Sequence, residues 1–402
     1  MSDSNVDDAK NAFDSSLVFS RLLMNTYGFW PYDIIPYKQA NTLKERFLSI
    51  FRPFILCLNI VFLTTEFLYI ILVAKGSVIP TVECIITLVA LSFYTVVSFI
   101  IYYQRDKIIY IIDTLRSYTE MHNEENFAMF MRNSPRLKVL SYVLYVTTGI
   151  CIFVYIGVPL ALPYHEQQNN KNEVINRPLP FNAWYPYDVN ANPYYQISFA
   201  LELFRGIGML HTVTGYDSLF ALIMVYTSGQ YSVLKLNFEN IFVQARENLK
   251  NRGYDSEEGK VTGPNTSSYT RMLDKEVNIL LKNNIRHHIA LNDLCNKEEH
   301  VYSPTIFMHL VLHAGMLCLV VYLSLMSLEN GEYGNCVKYS AFMMLLIIEL
   351  FMYGYIGTML IEASTSLTEG CFHSEWYETA NAMHLDWFKI YSFVTRNCID
   401  SK

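Results

Sequence analysis

"YYQISFALELFRGIGMLHTVTGYDSLF", residues 194–220, is apolar enough to cross a bilayer, yet it carries Glu202, Arg205, His211 and Asp217. Ionisable groups inside a membrane span face the bundle interior or a wet cavity. Glu202 and Arg205 stand three residues apart, so they share a helix face and can pair. Read as a span, the stretch is an interior helix. Its polar face serves either as a cavity wall or as glue between helices with snorkelling at the ends, and both readings fit. Gly206, Gly208 and Gly215 permit close packing and local bending.

Outward from this segment, other stretches reach the roughly 20 apolar residues that a crossing helix needs. The predicted spans are 53–74, 78–103, 139–162, 194–227, 304–328 and 337–361. Of 402 residues, 52% are hydrophobic and 17% charged, below the roughly 25% charged content of a soluble domain. A lone apolar segment must satisfy its backbone polar groups internally, so the spans are helices. The predicted fold class is all-α, a polytopic membrane helix bundle with six spans.

Basic residues near span ends set orientation. One side holds Lys38, Lys44, Arg46 and Arg52, then Arg105, Lys107, Arg116, Arg132, Arg136 and Lys138, then Lys235, Arg246, Arg286 and Lys297; the other holds Lys75, Lys171, Arg177 and Lys338. The N-terminus is therefore expected in the cytoplasm. Its first residues, "MSDSNVDDAKNAFDSS", lack the basic start and apolar core of a signal peptide. A net charge of −7 spread thinly along the chain argues against a nucleic-acid partner. The eight cysteines contain no CxxC pair, and most sit in apolar blocks as small buried hydrophobes.

Two connections carry three helical apolar stripes: Ile108, Ile111, Ile112, Leu115 and Tyr118 in the second; Tyr231, Leu234, Phe238, Ile241, Phe242 and Ala245, then Leu273, Val277, Leu280, Leu281 and His288, in the fourth. These predict cytoplasmic helical extensions, packed either on one another or on another subunit. Between the last two stripes, "KNRGYDSEEGKVTGPNTSS" (250–268) reads as a linker. It contains the sequon Asn265-Thr266-Ser267, which a cytoplasmic position would leave unmodified.

Chemistry-bearing patterns are few. His309 and His313 in "HLVLH" share a helix face, but Leu310 stands where a zinc protease has its Glu, and no third ligand is evident. They are read as lining a polar seam, and no metal site is expected. His287 and His288 read as solvated or hydrogen-bonded surface groups. With no nucleophile triad, phosphate loop or acidic metal cluster, neither an enzyme nor a cofactor is expected.

The connection before the fourth span contains "NRPLPFNAWYPYDVNANPYYQI" (176–197), an aromatic and proline-rich stretch expected to form a rigid amphipathic cap at the outer surface. Its Pro180, Trp184, Pro186, Asp188, Pro193 and Tyr194 resemble the second outer loop of the insect odorant receptor family. "TGYDSLFALIMVYTSGQYSVL" (214–234) resembles the end of that family's fourth span, with Asp217 and Gln230 in place. "HHIALNDLCNKEEHVYSPTIFMHL" (287–310) is similar to the helix entering its fifth span. "FMYGYIGTMLIEASTSLTEGCFHSEWYE" (351–378) resembles the sixth span and its exit through Tyr353, Gly357, Ser364, Trp376 and Tyr377, with Gly354 where Cys is more usual.

The resemblance covers 1–378. It implies an odorant-gated, non-selective cation channel in the plasma membrane of olfactory sensory neurons. A tuning subunit of seven spans would assemble with an odorant co-receptor into a hetero-tetramer through its cytoplasmic helices, in contact with membrane lipid, and take a small volatile organic ligand. The implied pocket lies in the outer half of the bundle, between spans two to six. There, geometry nominates Tyr94, Cys151, Tyr155, Phe199, Met209, His211, Phe342 and Met343, soft apolar and aromatic groups with few polar ones. Each could equally be bundle packing. A G-protein-coupled receptor is disfavoured by the inverted topology and by the missing Asp-Arg-Tyr and Asn-Pro-x-x-Tyr motifs. A gustatory-type channel and a truncated or spliced non-conducting variant remain as alternatives. The tail, 379–402, has "WFKIYSFV" (387–394) as its best apolar run, which is too short for the family's seventh span.

Overall fold

The computed structural model describes residues 3–35, 39–74, 76–119, 134–161, 179–254 and 266–374. Among these the chain forms nine α-helices: α1 Asp3–Thr26, α2 Leu43–Leu72, α3 Val78–Tyr103, α4 Arg105–Thr119, α5 Ser134–Ala161, α6 Tyr194–Glu239, α7 Ile241–Asn251, α8 Thr266–Glu329 and α9 Tyr333–His373. Six of them, α2, α3, α5, α6, α8 and α9, are long and apolar enough to cross a membrane. Each predicted span falls on one of these helices. The second matches α3 end to end, the fourth to sixth are parts of longer helices, and the first and third begin inside α2 and α5 and run past their ends at Leu72 and Ala161. The extensions carry too many polar residues to register as spans, so hydropathy locates the crossing but not the helix ends. At α2, for example, the helix starts well before the predicted Pro53, at a capping box. Thr42 Oγ1 accepts from Glu45 N and Glu45 Oε2 accepts from Thr42 N, both at 3.2 Å.

α6 is the most buried of the six. Its partners wrap it and turn large apolar groups outward: Phe54, Ile60, Phe67 and Ile71 of α2 and Phe351 and Ile361 of α9 are exposed. Such faces suit lipid tails and not water.

One helix was not anticipated. The polar N-terminal stretch forms α1, which buries Phe13, Leu17 and Met24. Phe13 meets the Tyr226 ring edge-on at 4.9 Å, and Ser16 Oγ lies 2.9 Å from Tyr226 Oη. Glycines on α6 make room for the N-terminal segment. A Cβ on Gly215 would lie 2.6 Å from Met24 Cγ, and one on Gly208 2.9 Å from Tyr27 Cε1. After α1 the chain reverses at Gly28, whose φ of 75° favours glycine. Buried Arg52 of α2 then holds the turn, donating from Nε to Gly28 O at 2.5 Å and from Nη2 to Asp33 O.

The three apolar stripes pack on one another within the chain. Ile108, Ile111, Ile112 and Leu115 of α4, Leu234, Phe238, Ile241, Phe242 and Ala245 of α6 and α7, and Val277 and Leu281 of α8 are all buried in one core. His288 is buried too and not a solvated surface group. These stripes therefore do not form a free face for another subunit. The central part of the linker (255–265) with Asn265, the tail from 375 onward, and Trp376 and Tyr377 lie outside the described residues.

Candidate functional site

A cavity of about 110 Å³ lies within the bundle. Its wall is apolar over most of its area: Ile86, Ala90 and Phe93 from α3, Cys151, Ile152 and Tyr155 from α5, Met209, Leu210 and Val213 from α6, Met316 from α8, and Phe342, Leu345 and Leu346 from α9. Gly206 widens it, since a Cβ there would sit 3.6 Å from Ile152 Cγ2 and 3.9 Å from Phe181 Cε2. Polar groups are few: Thr87, Thr148, Arg205, His313 and Glu349. An apolar chamber with a few fixed polar groups is the usual form of a small-molecule site.

Arg205 is held from two helices. Its Nη1 lies 2.6 Å from Glu66 Oε1 of α2, and its Nη2 lies 2.9 Å from Glu202 Oε2 one turn back on α6. All three side chains are buried. The pairing of Glu202 with Arg205 follows the i, i+3 spacing. The Glu66 contact was not anticipated, although a single acid inside "NIVFLTTEFLYIIL" signals a partner elsewhere. Arg205 also lies over the Phe181 ring at 4.1 Å.

Phe181 belongs to the connection that closes this end of the bundle. Trp184 N donates to Thr65 O at 3.0 Å, and Asn182 Nδ2 donates to Glu83 Oε2 at 3.1 Å. Glu83 is in turn paired with Lys338 of α9. Tyr185 donates its hydroxyl to Glu202 Oε1 at 2.6 Å. Burial, reinforced by that carboxylate, pushes the Tyr185 phenol above its ordinary pKa, so it remains a donor. Asp188 Oδ1 accepts from Asn190 N at 3.0 Å and sets the turn after Pro186. The expected aromatic cap is thus pinned to α2, α3 and α6.

Another part of the lining belongs to a polar seam. His313 Nε2 lies 2.5 Å from Glu349 Oε2, and the His309 ring stacks on His313 at 3.6 Å. Beyond it, Tyr353 donates to Asp217 at 2.6 Å, both buried.

Of the eight nominated pocket residues, Cys151, Tyr155, Met209 and Phe342 line the cavity. The other four have different surroundings. Tyr94 packs with Phe62 and Leu91, and Phe199 meets Tyr195 at 6.0 Å. Met343 packs on a second cluster with Ile86 and Met316. His211 Nδ1 lies 2.9 Å from Thr26 Oγ1, tying α6 to α1. The helix period places a residue on a face but does not say which neighbour that face meets. Among the motif residues, Gln230 is fully buried. Gly357 and Ser364 line a second, open groove of about 680 Å³ between α6, α8 and α9.

The family model described as 7tm Odorant receptor matches residues 78–384. The chain belongs to the odorant receptor family. It is 23% identical over 223 residues to Odorant receptor 83a of Drosophila melanogaster, covering 50% of this chain and 49% of that protein. It is also 23% identical over 209 residues to Odorant receptor 47a of the same organism, covering 51% and 45%. The chain thus spans about half the length of these curated relatives. Its fold is that of the insect olfactory receptor OR5 from Machilis hrabei, solved in complex with eugenol. The TM-score is 0.67 at 13% identity, over 98% of this chain and 90% of that one. A second structure of the same receptor matches with a TM-score of 0.65 at 13% identity, over 93% of this chain and 87% of that one. The odorant receptor assignment accounts for a multi-pass membrane bundle built around one polar helix.

Removing one member of a buried ion pair leaves an uncompensated charge and costs about 3–5 kcal/mol. Arg205→Met leaves Glu66 and Glu202 facing each other, and its melting temperature in detergent should fall well below that of the native receptor. Glu66→Gln, which keeps the Arg205–Glu202 pair, should fall less. Native-like melting of Arg205→Met would contradict the assigned network.

Proposed function

We propose that this receptor is a ligand-selective odorant receptor subunit that binds a small volatile organic molecule in the cavity. Binding would gate a non-selective cation channel formed with an odorant co-receptor in a hetero-tetramer. The observation that carries this reading is the cavity itself: aromatic and thioether side chains, few fixed polar groups, and a pinned cap over one end. Its volume is of the order of the engineered 150 Å³ chamber that takes benzene. Compact ring-sized volatiles fit first, and larger ones need Met209 and Met316 to move, which flexible thioether chains do readily. The proposed activity is binding and gating, with no chemistry on the ligand.

The basic-residue bias supports a cytoplasmic N-terminus and places the 179–193 connection at the outer surface, where a volatile arrives. The proposed setting is the plasma membrane of an olfactory sensory neuron.

Two measurements test this. With a co-receptor in a heterologous cell, a panel of compact volatiles should evoke cation current. Cys151→Phe, which fills the cavity, should raise the half-maximal concentration at least tenfold, while Phe199→Ala leaves it unchanged at equal surface expression. Equal sensitivity of the Cys151→Phe and native receptors would sink the pocket assignment. Separately, an N-terminal tag should be cleaved by added protease only after permeabilisation; cleavage on intact cells would refute the orientation.

A further inference from the structure

We propose that His309, His313 and Glu349 form a site for a divalent transition-metal ion of the Zn²⁺ class, with its open coordination position facing the cavity. The sequence offered two histidines and no third donor. The fold supplies one, because α9 crosses α8 so that Glu349 meets the histidine pair. One ligand atom from each of the three lies within 4.8 Å of the others, and all three residues are buried. A tetrahedral site with bonds of about 2.0–2.2 Å sets its donors roughly 3.3 Å apart. Glu349 Oε2 is 3.9 Å from His309 Nε2 and 2.5 Å from His313 Nε2. Small side-chain rotations bring both distances to that value. Two histidines and one carboxylate, leaving one position open, are a recognised zinc donor set.

The hydrogen bonding points the same way. His313 Nδ1 lies 2.9 Å from His309 O, a carbonyl that only accepts, so Nδ1 carries the hydrogen. In a neutral ring Nε2 then presents a lone pair, and it faces a carboxylate oxygen. Two facing lone pairs require a positive species: a proton at 2.5 Å, or a metal ion once the donors move to about 3.3 Å apart. The Nδ1–H to carbonyl contact is the outer-shell bond that orients metal-binding histidines. His309 is fully buried, and neither ring nitrogen has a hydrogen-bond partner. A coordinated ion would satisfy one of the two. Among the described ion pairs, Glu349 has only the two histidines and no Lys or Arg. His313 and Glu349 also line the cavity, so the remaining coordination position opens into it.

The test uses the full chain purified in detergent and stripped with a chelator, with Co²⁺ as the optical probe. One equivalent of Co²⁺ should produce the visible d–d absorption of a low-coordinate site, and Zn²⁺ should abolish it by displacement. His309→Gln and Glu349→Gln should each weaken Co²⁺ binding at least tenfold. His300→Gln, at an exposed histidine, should leave it unchanged. No visible band from the native chain would overturn the proposal and assign a proton to the seam, and this outcome does not depend on whether any variant folds. Full binding by both the His309→Gln and Glu349→Gln variants would also overturn it. Volatile-evoked current is a separate readout, so failure of the metal site leaves the odorant reading standing.

Discussion

The structure depends on keeping the charges of α6 out of lipid. Transferring an ion into a low-dielectric interior costs several kcal/mol unless it is paired and hydrogen-bonded. Arg205, with Glu202 on its own helix and Glu66 on α2, meets that condition only if α6 is enclosed. Asp217 imposes the same demand more than three turns further along, met by Tyr353 of α9. Helices α1, α3, α5, α8 and α9 therefore gather around α6, and α2 reaches it through Glu66. The glycines at 208 and 215 let the N-terminal segment approach a helix that large side chains would hold away.

The cavity is a consequence of this arrangement. Phe181, packed on Arg205, and the His313–Glu349 seam both belong to its lining. Between them stand side chains that cannot interdigitate fully. Gly206 contributes no volume, and Tyr155 and Phe181 stack at 6.1 Å. On the proposed reading, a ligand entering this chamber would displace thioethers and aromatics while the ionic framework holds.

Much of the fold was legible in the sequence because hydropathy over about 20 residues is a strong signal. The Glu202–Arg205 pair was legible because both residues lie on one helix. Contacts across helices were not, since periodicity fixes a face and not its partner. Glu66 and Glu349, each a lone acid in an apolar run, announced a need without naming what meets it. Half of the nominated pocket residues reached the cavity, Cys151, Tyr155, Met209 and Phe342, for the same reason. α1 was missed because its polar composition hides a stripe of Phe13, Leu17 and Met24 that becomes apparent only against α6. The family likeness rests on the order of loose motifs along the chain, and most of those motifs turn out to be contacts: Asp217 with Tyr353, Trp184 with Thr65, and Asp188 with its own turn.

The chamber among α3, α5, α6, α8 and α9 is the proposed ligand site. A structure of the receptor determined with an activating volatile bound tests it most directly. Ligand density is expected between Tyr155, Phe181, Met209 and Phe342, with Arg205 still paired to Glu66 and Glu202. Density instead in the open groove beside Gly357 and Ser364, with the chamber unchanged, would contradict it.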